Sequence, residues 1–563
     1  MKSVKTIFSS IALIVMLLIG ATSAHAQVQD VQDVNNGVTC LKRIGGAYPE
    51  DGHFYYCGNS LNNKISFLNA IKTTIKAYPN VSTQLINSGT SFFFFANPVD
   101  AAVWGTSVQN PPDSDKQKFY NSARFELGRS GGSVPNLTSI IYENEVGPND
   151  VYPNYTSLSQ GLVEHTILHE MGHDFDTALG TPSTQVAYSL VVQKDQLFLT
   201  GAVGATQAAT LRSQNSYFID PTNNAPPGVQ WEELYAEEFA NYVLINQTAT
   251  GAVSISVDTS VITPYFKCSS LFVSTQITAD RQPNASEYAA SGCTPQCVVY
   301  PSPLGTTYPK TGHLYNCMGT PRNGTEQTYQ TNIMSSLSST ITTFKGDLAK
   351  LSAKNVDFYV FYDPLDAYIV KGIAANPPSS QIALSYVDPP AGNPNLPNAS
   401  SILYVYTQAE WQTIYPAVPN APKSIPFTGS ADHELGHQMD RIWAQGLSYA
   451  PAATALISLN STNQAYYLSA LAWDYAAMSS ADKATLWSTY PYLMVNSTTI
   501  NNYEMFAEQK ANSPGVGRGG TTGKSFLGLK LPCAQWVVNQ LSSNNGAFPA
   551  APSSGQCHSH TTW

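Results

Sequence analysis

Three hydrophobic patterns follow one another along this chain. Lys2 and Lys5 precede an apolar run from Ile11 to Ile19 and the small-residue stretch Ala24-His25-Ala26, the order of a secretory signal peptide over 1–26. The run is too short for a membrane span, and no later stretch offers the roughly 18 uninterrupted apolar residues that one needs. Short apolar runs at Phe92 to Phe95 and Phe358 to Tyr362, each ahead of a turn at Pro98 or Pro364, predict buried strands. Ser139 to Tyr142 and Ser401 to Tyr404 predict a second pair of strands. From Gly161 to Phe175 the period lengthens. Leu162, Val163, Ile167, Leu168, Met171 and Phe175 suit a buried helix, with Ser157 or Ser159 as its cap.

These patterns occur twice. Tyr48-Pro49 to Cys57 is echoed by Tyr308-Pro309 to Cys317, and the eight cysteines repeat in register. An even cysteine count in an exported chain favours disulfides. Pairing within each copy predicts Cys40–Cys57 and Cys268–Cys293 in the first half, and Cys297–Cys317 and Cys533–Cys557 in the second. The expected domains are 38–294 and 295–558, each α+β, with a twisted sheet, an active-site helix and a helical C-terminal part. A chain of 563 residues is long enough for two such cores.

Composition narrows the class. The net charge of −10 argues against a nucleic-acid partner. Only 12% of residues are charged, against roughly 25% in an average globular protein. That thin charge suggests an acidic medium outside the cell; stability confined to neutral pH would contradict it. The expected location is extracellular or periplasmic, as a monomer with no membrane span.

The candidate chemistry lies on the predicted helix. In His169-Glu170-Met171-Gly172-His173 the histidines are four apart, on one helical face, and can aim both imidazoles at one Zn²⁺. Glu170 beside them can take a proton from water at the metal. His433-Glu434-Leu435-Gly436-His437 recurs 264 positions on, with Thr428 and Ser430 as cap candidates. The inner glycine recurs although glycine inside a helix costs about 1 kcal/mol relative to alanine, which predicts close approach of another backbone. A catalytic zinc needs a third protein ligand. Glu233-Leu234-Tyr235-Ala236-Glu237 and Glu504-Met505-Phe506-Ala507-Glu508 each place two carboxylates four apart, the first for the metal and the second for a ligand histidine's free N–H.

HEMGHDFD with ELYAE, and HELGHQMD with EMFAE, resemble the catalytic-domain family of anthrax toxin lethal factor, whose pattern is HExGHxxD followed by ExFAE. The resemblance rests on these motifs and their order. It implies two tandem zincin-like metallopeptidase domains and one Zn²⁺ in each. His169, His173 and Glu233 would hold one ion, and His433, His437 and Glu504 the other. It also implies Glu170 and Glu434 as general bases and Glu237 and Glu508 as supporting carboxylates, acting on a peptide or protein substrate. The family's oxyanion-stabilising tyrosine would be Tyr217 and Tyr492, which lie 16 and 12 residues before their glutamates rather than at the family's closer spacing.

Plainer readings apply elsewhere. Asp176 and Asp440 orient a ligand or, more simply, hydrogen-bond nearby backbone. His165 shares the histidine face, but Gly429 replaces it in the second copy, so it reads as structural. His53 and His313 suit a packing role, and Glu232 and Glu238 suit solvent. An edge strand near Ile140 or Ile402 is expected to align substrate. The alternative class is a secreted binding or adhesion protein that keeps the fold and metal without turnover, in one or both halves.

Overall fold

Residues 28–58, 61–105, 128–145, 156–157, 160–200, 219–220, 228–249, 265–321, 324–342, 345–353, 355–373, 383–386, 400–404, 427–443, 461–512 and 523–543 are described in the computed structural model. They form two units, 1–284 and 285–563. Both are α+β, with a mixed sheet followed by helices.

In the first unit, strands β1 (Gln29–Asn35), β2 (Val38–Ile44), β3 (Phe54–Cys57), β4 (Ser91–Phe95), β5 (Gly128–Ser133) and β6 (Asn136–Tyr142) form one sheet in the order β1-β2-β3-β4-β6-β5. β3, β4 and β6 run parallel, and β5 returns antiparallel at the edge. Period-two alternation sends Phe92 and Phe94 fully inside while Phe93 stacks on Tyr55 across the other face. Beneath the buried face lie helix α1 (Leu61–Ala77), with Phe67 and Ile71 inside, and helix α2 (Gln160–Ala178). Fully burying a phenylalanine contributes about 1.5–3 kcal/mol, so this aromatic layer fixes α2 firmly against the sheet. The helices α3 (Val186–Thr200), α4 (Trp231–Ala249) and α5 (Lys267–Ala279) complete the unit.

The second unit repeats the plan. β7 (Val298–Val299), β8 (Leu314–Cys317), β9 (Asp357–Phe361), β10 (Ala383–Tyr386) and β11 (Ser400–Tyr404) are ordered β7-β8-β9-β11-β10, again with three central parallel strands and an antiparallel edge. Helices α6 (Gly324–Thr342), α7 (Phe427–Trp443), α8 (Ser461–Ala477), α9 (Asn502–Ala511) and α10 (Pro532–Ser543) follow. The registers correspond: Phe54 faces Phe92 where Leu314 faces Phe358, and Ser130 faces Ser139 where Ser385 faces Ser401.

Several expectations change. Pro98 and Pro364 do not open turns. They open the helices Pro98–Gly105 and Pro364–Lys371, because proline suits a first helical turn and Asn97 and Asp363 cap the free N–H groups of Asp100 and Leu365. Thr428 and Ser430 lie inside α7, which begins at Phe427, so neither precedes it as a cap. Ile140 and Ile402 sit on strands flanked on both sides, and the edge strands next to them are β5 and β10. Of the cysteine pairs, Cys40–Cys57 and Cys297–Cys317 are bonded as expected. Cys268, Cys293 and Cys533 are also disulfide-bonded, and Cys557 lies outside the described residues. His53 and His313 pack on Tyr48 and Tyr308 and pair with Ser91 and Asp357, a role inside the fold. Among the described residues, no helix is long and apolar enough to cross a membrane.

Candidate metal centre

Helix α2 carries His169 and His173 one turn apart, and α4 crosses it with Glu233 in its first turn. What lets the helices come so near is Gly172. A Cβ there would stand 2.8 Å from the Cα and 2.9 Å from the carbonyl oxygen of Ala236. Gly436 repeats the contact, with Ala507 at 2.6 and 2.7 Å. The glycine expected to admit a second backbone does so in both units, and the backbone it admits carries Glu233 in one and Glu504 in the other.

The donor atoms converge. Glu233 Oε2 is 3.2 Å from His169 Nε2 and 3.6 Å from His173 Nε2, and the two Nε2 atoms are 3.2 Å apart. Tetrahedral ligands about 2.0–2.1 Å from a Zn²⁺ stand roughly 3.3 Å from one another, so the three atoms already have the spacing of one face of such a site. In the second unit Glu504 Oε2 lies 3.0 Å from His433 Nε2 and 3.4 Å from His437 Nε2. Glu434 also comes within 4.8 Å of both histidines. A single oxygen of Glu504 approaches both Nε2 atoms, so two carboxylates stand beside the histidines of this unit. Each unit therefore holds a histidine and glutamate group able to bind a metal ion.

Behind the ligands, Glu237 Oε2 accepts from His169 Nδ1 at 3.1 Å, and Glu508 Oε2 accepts from His433 Nδ1 at 3.0 Å. This turns Nε2 of each histidine toward the facing glutamate oxygen, where it could meet a metal ion. Glu237 is further held by His165 Nε2 at 3.0 Å and Asn241 Nδ2 at 2.9 Å. His165 thus supports the support and is not a ligand.

Burial opposes the charged form of His169, but the hydrogen bonds of Glu233 and Glu237 outweigh it and hold its pKa up to about 10. His433 is raised to about 10 by the same opposition of burial to Glu504 and Glu508. Burial would raise Glu233 and Glu504, yet their histidine partners keep both carboxyls well below the usual range. A cluster that concentrates negative charge on two imidazoles is suited to exchange a proton for a cation.

Compared with protein-family models, curated proteins and solved structures, the chain finds no match.

Other expected site residues fall as follows. Asp176 accepts from the backbone N–H of Ser183 at 2.8 Å and from its hydroxyl at 2.5 Å, so it fastens the turn after α2 and does not touch a ligand; Asp440 is fully buried. Tyr217 lies outside the described residues, and the Tyr492 backbone belongs to the turn Pro491–Leu493. A tyrosine that the sequence did not single out, Tyr503, stacks on His437 with ring centroids 3.9 Å apart. His437 is accordingly 4% exposed, where His173, with Glu232 at the position of Tyr503, is 19% exposed. Metal is expected to leave the first site faster than the second. Chelator-driven zinc release from chains keeping one site each, His169→Ala or His433→Ala, checks this, and equal rates would remove the shielding role of Tyr503.

Glu238 corrects the sequence reading. It is not solvated but 2% exposed, accepting from Tyr188 Oη at 2.9 Å and Ser269 Oγ at 2.5 Å. Ser269 Oγ also lies 2.8 Å from Asp195, whose carboxyl accepts the N–H groups of Cys268 and Ser269. One serine proton cannot serve two carboxylates, so one acid carries a proton of its own. Burial pushes Asp195 up to about 7 and, with the Asp195 charge adding to it, pushes Glu238 well above the usual range. Folded-state pKa values above the unfolded ones give stability that is complete below about pH 4 and is lost as pH rises through the folded values. Each titrating group then removes about 1.4 kcal/mol per pH unit. Glu238→Gln is expected to flatten the fall in melting temperature between pH 5 and 8, and an unchanged slope in the variant would refute the linkage.

Proposed function

We propose that the chain is a secreted zinc-dependent endopeptidase, with a lethal factor-like zincin site in each unit. The observation that carries this reading is one glutamate oxygen seated against two imidazole nitrogens at tetrahedral ligand spacing, twice in one chain. A resident zinc ion would supply the Lewis acidity that acidifies a water and polarises the scissile carbonyl.

The protein's own residues supply the rest. Glu170 and Glu434 lie next to a ligand histidine, 6% and 5% exposed. In this placement each takes the proton of the attacking water and returns it to the departing amine. Glu237 and Glu508 hold His169 and His433 in the tautomer that presents Nε2. β5 and β10, as sheet edges beside α2 and α7, offer backbone groups to which an extended peptide can add as a further strand.

The experiment is cleavage of casein and a peptide library by the purified full chain. Hydrolysis that stops with a chelator and returns with Zn²⁺ supports the reading. Zinc bound at two per chain with no cleavage of any substrate would replace it with the binding-protein class.

A further inference from the structure

One buried acid has no part in the scheme above. Asp174 follows His173 directly and stands one turn beyond Glu170, fully buried. Its Oδ1 accepts from Ser130 Oγ at 2.5 Å and its Oδ2 from Ser139 Oγ at 2.6 Å. Those serines face each other across β5 and β6. Three side chains therefore join the residue after a metal ligand to the outermost strand of the sheet. β5 has a neighbour only in β6 within the sheet, and its sequence, Gly128-Arg129-Ser130-Gly131-Gly132-Ser133, has few side chains to pack. The position of β5 is set by its ladder to β6 and, on the side toward α2, by the two serine hydroxyls that meet Asp174.

We infer that Asp174 is a positioning residue, clamping the substrate-aligning edge β5 to the metal helix through Ser130 and Ser139. The inference rests on the peptidase reading for its kinetic consequence but not for its structural one. A peptide added to β5 inherits the position of that strand, and a misplacement of about 1 Å between reacting groups can lower a rate by 10²-fold. In the second unit Gln438 occupies the position of Asp174, fully buried, and Ser385 faces Ser401 in the same register. An amide can give one bond and take one where the carboxylate takes two, so the position tolerates either group if its purpose is to hold two hydroxyls.

The test uses the full chain with Glu434→Gln, which leaves the first site as the one read. Asp174→Ala is expected to lower kcat/KM about 10- to 100-fold on peptides long enough to lie along β5. On substrates too short to reach the strand it should change kcat/KM by less than about threefold, with zinc content unchanged. Asp174→Asn is expected to restore most of the loss. Hydrogen exchange of 128–133 should quicken in Asp174→Ala and return in Asp174→Asn. Ser130→Ala, which removes one bond and leaves Asp174 in place, should give the same pattern at smaller size and serves if Asp174→Ala fails to fold. Should the chain cleave nothing both with and without Glu434→Gln, the peptidase reading fails while exchange at 128–133 still decides the clamp. Equal losses on long and short substrates, or unchanged exchange at 128–133 in both Asp174→Ala and Ser130→Ala, would overturn it.

Discussion

The double variant Glu170→Gln with Glu434→Gln is expected to lose hydrolysis by 10²- to 10⁴-fold, the usual contribution of a general base, while its zinc content and melting temperature stay within error of the parent. The expectation follows from placement. Each glutamate adjoins a ligand histidine but is not the carboxylate that bridges the two Nε2 atoms. An amide keeps the volume of the acid, exchanges one acceptor oxygen for an N–H donor and removes the ability to take a proton. Peptide cleavage, metal analysis and a thermal melt on one preparation check all three statements. Each single variant leaves the activity of the other unit, so the pair of singles apportions turnover between the two sites. Undiminished cleavage by the double variant would transfer the base role to another residue.

The second large effect concerns Gly172 and Gly436. Alanine at an ordinary helix interior is worth about 1 kcal/mol in favour of folding. Here the opposite sign is expected. An added Cβ would meet backbone atoms of Ala236 at 2.8 and 2.9 Å, or of Ala507 at 2.6 and 2.7 Å, and backbone cannot rotate aside. Overpacking of this kind costs about 1–3 kcal/mol. Ala236 lies one turn beyond Glu233 on α4, so separating the helices draws the carboxylate from the imidazoles. Gly172→Ala should lower zinc affinity at the first site at least tenfold, and Gly436→Ala at the second by as much or more. Zinc titration and melting curves of each variant test this. A stabilised variant with full affinity would mean that the helices are not held at contact by these glycines.

How much of this was readable beforehand differs from residue to residue, for physical reasons. The ligand histidines were legible because four residues is close to one helical turn, and a covalent spacing fixes their common face. The carboxylate that meets the histidines and the glycine opposite it were legible because the chain repeats both, and an unfavourable residue kept twice signals a contact. Glu238 was misread because a helix face is solvated or buried according to what packs on it, and Ser269 and Asp195 are too distant in sequence to announce themselves. The β1–β2 hairpin was overlooked despite its Asn36-Gly37 turn, both residues at positive φ, a strong short-range hairpin signal. Asp174 has no local signal because its partners Ser130 and Ser139 lie 44 and 35 positions earlier in the chain. Comparing the halves residue by residue held the missing clue: Asp174 and Glu238 stand where Gln438 and Gln509 stand in the second copy. Glu238 is exchanged for the amide of the same shape and Asp174 for a longer one, so at both positions the hydrogen-bonding group is kept and the charge is dispensable.

That exchange also bears on why two copies persist. Tyr467 donates to Gln509 Oε1 at 2.9 Å just as Tyr188 donates to Glu238, and Asp474 receives the N–H groups of Cys533 and Ala534 as Asp195 receives theirs. With alanine in place of Ser269 and glutamine in place of Glu238, the later copy has one interior acid where the earlier has two. Its folding should consequently respond less to alkali. Two copies that lose stability at different alkalinities are not equivalent: one chain would keep a folded lobe across surroundings that would unfold the other.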